Sequence, residues 1–144
     1  MDVGEGPGRT LFQFVRYWAR RWPRTDDVDR GNGRDVLVTE AVLARRAGTG
    51  ATVNDVADEL GIDQSGASRL VAQAVLRGYL CKAASPEDAR RRVLLITDKG
   101  VELLTAAHDW QESVFAELTA DWSEEEVRSF HRSMARLMAR CHGK

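Results

Sequence analysis

Between Thr52 and Leu80 the chain reads TVNDVADELGIDQSGASRLVAQAVLRGYL, and the placing of its small residues limits the folds open to it. Thr52 can cap a short helix whose apolar residues are Val53, Val56, Ala57 and Leu60. Ala57 is small where a second helix would cross, and Gly61, four residues on, permits a tight turn. The second helix is expected from about Gln64 to Arg77, with Gly78 stopping it. Ile62, Ala67 and Leu70 are expected to face inward. The opposite face then carries Gln64, Ser65, Ser68, Arg69 and Gln73. This is a helix-turn-helix pattern, which by itself many small helical domains share.

The residues after Gly78 narrow the choice. YLCKAA and RRVLLIT read as two strands, joined by the turn SPEDA with its proline and acids. The tip sets Arg90, Arg91 and Arg92 side by side, where like charges repel and add nothing to a core. A ribbon directly after a helix-turn-helix is a wing, and its arginines fit phosphates or minor-groove edges of DNA. Asp88, two residues before Arg90, is expected to pair with that guanidinium and fix its direction. From Gln64 to Arg92 there are six basic residues and two acidic ones, although the whole chain has a formal net charge of only −1. On the second helix, glutamine can bond adenine bidentately and arginine guanine, and the helix N-terminus offers free N–H groups to a phosphate.

The flanks are helical. Residues 1–8 read as a flexible leader. From Thr10 to Trp22 the apolar residues, Leu11, Phe14 and Trp18 among them, recur at steps of three and four, and Pro23 ends the helix. A further helix is expected over Asp35 to Ala47. After the wing, Thr97 caps a long helix from Asp98 to about Ala120, which includes Phe115. Ser123 with Glu126 makes a capping box for the last helix, whose stripe includes Phe130, Met134, Leu137 and Cys141. The outer helices are too few to bury one another's stripes in a chain of 144 residues, and packing against a second copy would cover them. Leu11, Phe14, Trp18, Phe115, Phe130, Met134 and Leu137 are the expected dimerisation residues. The fold class is therefore mainly α with a small β-hairpin wing: a winged helix-turn-helix with N- and C-terminal dimerisation helices.

With 43% hydrophobic and 30% charged residues, the composition is that of an ordinary folded domain. Cys81 and Cys141 fall in no metal-type spacing, no stretch reaches the roughly 20 apolar residues of a membrane span, and the N-terminus lacks a secretory layout. A cytoplasmic location with free thiols is expected. A thiol switch at Cys81 beside Lys82, and a metal sensor using His108, Glu112, His131, Cys141 and His142, are weaker alternatives because no dense ligand cluster appears. No nucleophile elbow, phosphate loop or histidine dyad points to an enzyme, and no cofactor or metal is expected. A winged helix that binds only protein remains the competitor, and the basic wing argues against it.

Over roughly residues 10 to 142 the chain resembles the MarR family of winged-helix transcription regulators, most strongly from Thr52 to Leu80 and in SPEDARRRVLLITDKG. The family's wing pattern falls on Pro86, Glu87, Asp88, Arg90, Val93, Leu95, Thr97, Lys99 and Gly100, with Ala89 where the family often has arginine. The resemblance implies one domain over 9–144, with dimerisation helices at 9–33 and 98–144 and a DNA-binding lobe at 34–97. It implies a homodimer on a palindromic double-stranded operator. The recognition helices, with Gln64, Ser65, Ser68, Arg69 and Gln73, would enter successive major grooves. The wings, with Asp88, Arg90, Arg91 and Arg92, would reach flanking minor grooves. Repression released by a small aromatic or phenolic ligand, or by a stress signal, is the behaviour it implies.

Overall fold

The computed structural model of the chain describes residues 3–19, 21 and 33–143. Among them are six helices and one antiparallel hairpin. In order these are α1 (Pro7–Trp18), α2 (Gly33–Ala44), α3 (Val53–Leu60), α4 (Gln64–Leu76), β1 (Leu80–Ala84), β2 (Arg92–Ile96), α5 (Asp98–Leu118) and α6 (Glu124–His142). They fall into two compact units, the chain dividing between Ala107 and His108 within α5.

In the first unit, α3 begins as the sequence indicates. The Thr52 side chain accepts from the Asp55 amide at 3.2 Å, while the Thr52 amide donates to the Asp55 carboxylate at 2.9 Å, a reciprocal cap. The helix ends on Gly61 at φ 66°. There the Ile62 amide donates to the Ala57 carbonyl and the Gly61 amide to Asp58, satisfying two terminal carbonyls as the chain turns into α4. Only glycine adopts this left-handed geometry without strain.

The core of this unit gathers Val38 and Val42 from α2, Val56 from α3, Val71 from α4 and Leu80 from β1, each less than 2% exposed. Burying each such side chain contributes about 1.5–3 kcal/mol. Helix α2 is buried round much of its circumference, with Asp35, Val36, Val38, Thr39, Ala41 and Val42 all inside. It stops at Ala44 rather than Ala47, and Gly48 and Gly50 follow in left-handed conformations.

β1 and β2 pair in the register Leu80 with Ile96 through Ala84 with Arg92. The Leu94 amide also donates to the Ala51 carbonyl at 2.8 Å, so the connection between α2 and α3 lies along the free edge of β2. Helix α1 starts at Pro7 rather than Thr10, within the stretch read as a leader, because proline at the first helical position is preset for the helix. Trp22 and Pro23, the expected end of that helix, lie outside the described residues. No residue of α1 is buried, and Leu11, Phe12, Phe14, Val15 and Tyr17 are exposed.

In the second unit, Phe115 of α5 stacks on Phe130 of α6 with ring centroids 6.3 Å apart, and Trp122 meets Phe130 edge-on at 5.3 Å. Phe115 and Phe130, expected to face a second copy, thus first contact each other. Ser123 and Glu126 form the expected capping box. No residue of α6 is buried, so Phe130, Leu137 and Met138 keep an apolar stripe open. Among the described residues, no helix is long and apolar enough to cross a membrane.

Candidate nucleic-acid interface

Helix α4 packs on the core through Ala67, Val71 and Ala74. Val71 and Ala74 were not among the expected inward residues. Ile62, which was, is 39% exposed, and Leu70 is only half-buried. The reason is angular: positions 67, 71 and 74 share one face at three- and four-residue steps, while Ile62 lies in the turn before the helix. Gln64, Ser65, Arg69 and Gln73 are exposed and Ser68 half-exposed, so the expected polar face is presented as read. Leu76, on the same outward side, is 83% exposed.

The start of α4 differs from expectation. Asp63 is its cap, with Oδ1 accepting from the Gly66 amide at 2.9 Å and Oδ2 from the Ser65 hydroxyl at 3.3 Å. One of the N–H groups expected to await a phosphate is therefore already bonded to a carboxylate. Gly66 leaves room for this cap: a Cβ there would lie 2.6 Å from that Oδ1, and the aspartate side chain would have to shift. Arg69 and Gln73 also line an open groove of about 530 Å³ with Arg34, Asp35 and Arg77. Arg77 is committed inward: its Nη1 donates at 2.7 Å to Asp35, whose side chain is only 2% exposed.

The hairpin tip is built by backbone. The Arg91 amide donates to the Asp88 carbonyl at 3.0 Å, and the Ser85 amide to the Arg91 carbonyl at 2.8 Å. The Asp88 carboxylate accepts from the Arg90 backbone amide at 3.0 Å. This corrects the expectation of a carboxylate–guanidinium pair: a short acidic side chain two residues back reaches the amide within its own turn. Asp88 shapes the turn and leaves the Arg90 side chain exposed. Arg92 is exposed as well.

Arg91 is placed differently. Its Nη2 donates to the Gly50 carbonyl at 3.4 Å and lies 3.8 Å from the Asp55 carboxylate. Of the three arginines, only Arg90 and Arg92 project freely. Nearby, Arg45 holds Asp58 and Glu59, and its hydrogen bonds to Asp58 and then Glu59 push the guanidinium pKa up.

The base of the wing is tied to α4 and α5. Thr97 donates from its hydroxyl to the Gly78 carbonyl and from its amide to Tyr79 at 3.1 Å, and its Oγ1 accepts from the Gly100 amide at 3.1 Å. Lys99 Nζ donates to the Arg77 carbonyl at 2.9 Å. The polar face of α4 and the wing thus belong to one packed unit. The sequence reading missed Asp63 as a cap, although an aspartate just before a helix is a standard start signal. It also missed the Asp35–Arg77 pair, for which no local signal existed. Among the described residues, no group of three or more His, Cys, Asp or Glu side chains could hold a metal ion.

A basic-tipped hairpin following a helix-turn-helix with an exposed polar second helix defines a winged helix-turn-helix protein. Residues 41–91 match the sequence model of the MarR family. The HTH-type transcriptional regulator BilQ of Clostridioides difficile (strain CD3) is 29% identical over 84 residues, covering 56% of this chain. The match spans 57% of that relative's own length. The structure is similar to the crystal structure of MarR, at 19% identity and a TM-score of 0.71, covering 96% of this chain and 100% of that one. It is also similar to S. aureus MepR in a DNA complex, at 16% identity and a TM-score of 0.65, covering 92% and 95%. The chain thus has a winged-helix fold, and its residues 41–91 are similar in sequence to the MarR family.

Proposed function

We propose that this chain is a regulator of transcription that binds double-stranded DNA as a homodimer. Helix α4 enters the major groove, and the hairpin tip reaches the flanking minor groove. The observation that carries this reading is one compact unit presenting two unlike tools on its surface: Gln64, Ser65, Arg69 and Gln73 on α4, and Arg90 and Arg92 at the wing. The side chains on α4 are of the kinds that discriminate base edges, and the wing guanidiniums are of the kind that displaces counterions from phosphates. A structural neighbour of the same fold, S. aureus MepR, was solved in a DNA complex, which supports the partner class.

The apolar residues left open on α1 (Leu11, Phe14) and α6 (Phe130, Leu137) support a second copy of the chain as partner, and a two-fold dimer reads a palindromic operator. Repression relieved by a small aromatic or phenolic ligand, or by a stress signal, is the finer form of the proposal. Selection of binding sites from random duplexes tests it, followed by gel shifts with competitor DNA over a range of salt. Enrichment of a palindrome, with affinity falling steeply as salt rises, is the expected result. Arg90→Ala should weaken binding and lower the slope of log affinity against log salt by about one, leaving dimer and melting unchanged. A protein that enriches no sequence and shows no salt-dependent binding would make this fold a protein-interaction module instead.

A further inference from the structure

The three consecutive arginines of the wing do not share one task. Val93 and Arg91 are two residues apart, so the alternation of β2, continued past its end, sends both to the side where the α2–α3 connection lies. Val93 is buried there, and the approach is close: a Cβ on Gly50 would stand 3.1 Å from Val93 Cγ1. Arg91 reaches over the same connection to the Gly50 carbonyl and toward Asp55. Its Nε is shielded from solvent and has no hydrogen-bond partner, while the side chain as a whole is 38% exposed. Asp55 is itself fixed, because its carboxylate also caps α3 through Thr52 and lies 3.9 Å from Arg45.

We propose that Arg91 is a positioning residue: bridging the Gly50 carbonyl and the Asp55 carboxylate, it latches the wing to the α2–α3 connection and holds Arg90 and Arg92 toward DNA while touching no phosphate itself. The proposal rests on the proposed binding of DNA, and the latch has its own signature without DNA. The Leu94 amide, bonded to Ala51 across the same seam, reports whether the wing stays docked.

The test uses the full chain with Arg90→Ala, Arg91→Ala, Asp55→Asn and the Arg91→Ala/Asp55→Asn double variant. Asparagine keeps an oxygen for the α3 cap while removing the charge. Amide hydrogen exchange is read at Leu94 without DNA, and affinity for a mixed-sequence duplex is read across salt. Arg91→Ala and Asp55→Asn should each speed exchange at Leu94, and the double variant should be no faster than the faster single one. Arg91→Ala should weaken duplex binding up to about fivefold with the salt slope unchanged, while Arg90→Ala lowers that slope by about one. Unchanged exchange in Arg91→Ala overturns the latch, as does a slope that falls by about one, since that would make Arg91 a phosphate ligand. If the unsubstituted protein ignores duplex DNA, the proposed regulator function fails while the exchange arm still decides the latch.

Discussion

Replacing Gly100 by alanine adds one methyl group where the first turn of α5 crosses the base of the wing. A Cβ built there would lie 2.2 Å from the Tyr79 carbonyl oxygen and 2.8 Å from Ile96 Cγ2. Optimal contact is about 3.5–4.0 Å, and the nearer atom is backbone, so no side-chain rotation relieves the overlap. The helix start must retreat by about an ångström or more. Retreat stretches the Thr97 amide bond to Tyr79 and the Thr97 hydroxyl bond to Gly78, each contributing about 1 kcal/mol. Overpacking a tight core adds about 1–3 kcal/mol. Alanine's better helix propensity offsets about 1 kcal/mol, leaving a net loss of about 2–4 kcal/mol. Gly8 in α1 is the internal control, because a Cβ there meets nothing within 4 Å and the same substitution should be neutral or stabilising. Urea unfolding followed by far-ultraviolet circular dichroism, at matched protein concentration, measures both. If Gly100→Ala unfolds within about 0.5 kcal/mol of the unsubstituted protein, the close approach of α5 to Tyr79 is refuted.

Asp63→Ala removes the α4 cap and should cost about 1 kcal/mol in the same urea experiment, with the loss centred on early α4 amides in hydrogen exchange. Arg77→Met should cost about 1.5–3 kcal/mol, because it takes a charged hydrogen-bond partner from the buried Asp35 carboxylate; no loss would mean that pair is dispensable. Arg69→Ala should relax sequence preference at one operator position by about 1–3 kcal/mol, read by repeating the site selection, and leave urea unfolding unchanged.

Much of the lobe was legible because its signals are local. The Thr52 and Ser123 capping boxes, the Gly61 turn and the hairpin strands each depend on residues a few positions apart, and the structure places them where the sequence indicates. The polar face of α4 was legible for the same reason, since helical periodicity separates Ser65 and Arg69 from Ala67, although the inward places of Val71 and Ala74 were not read. The tip of the wing was legible only as charge. Nothing in three adjacent arginines says that Asp88 bonds a backbone amide, or that Arg91 turns away from its neighbours.

By itself the sequence determined the order of elements and which faces are polar, since these follow from backbone geometry and side-chain spacing within single segments. Tertiary structure alone decided which basic residues remain available to a partner. Arg77 is taken by Asp35, 42 positions away, and Arg91 by Gly50, 41 positions away. A charge is neutralised by whatever lies within a few ångströms, and only the folded chain determines what that is.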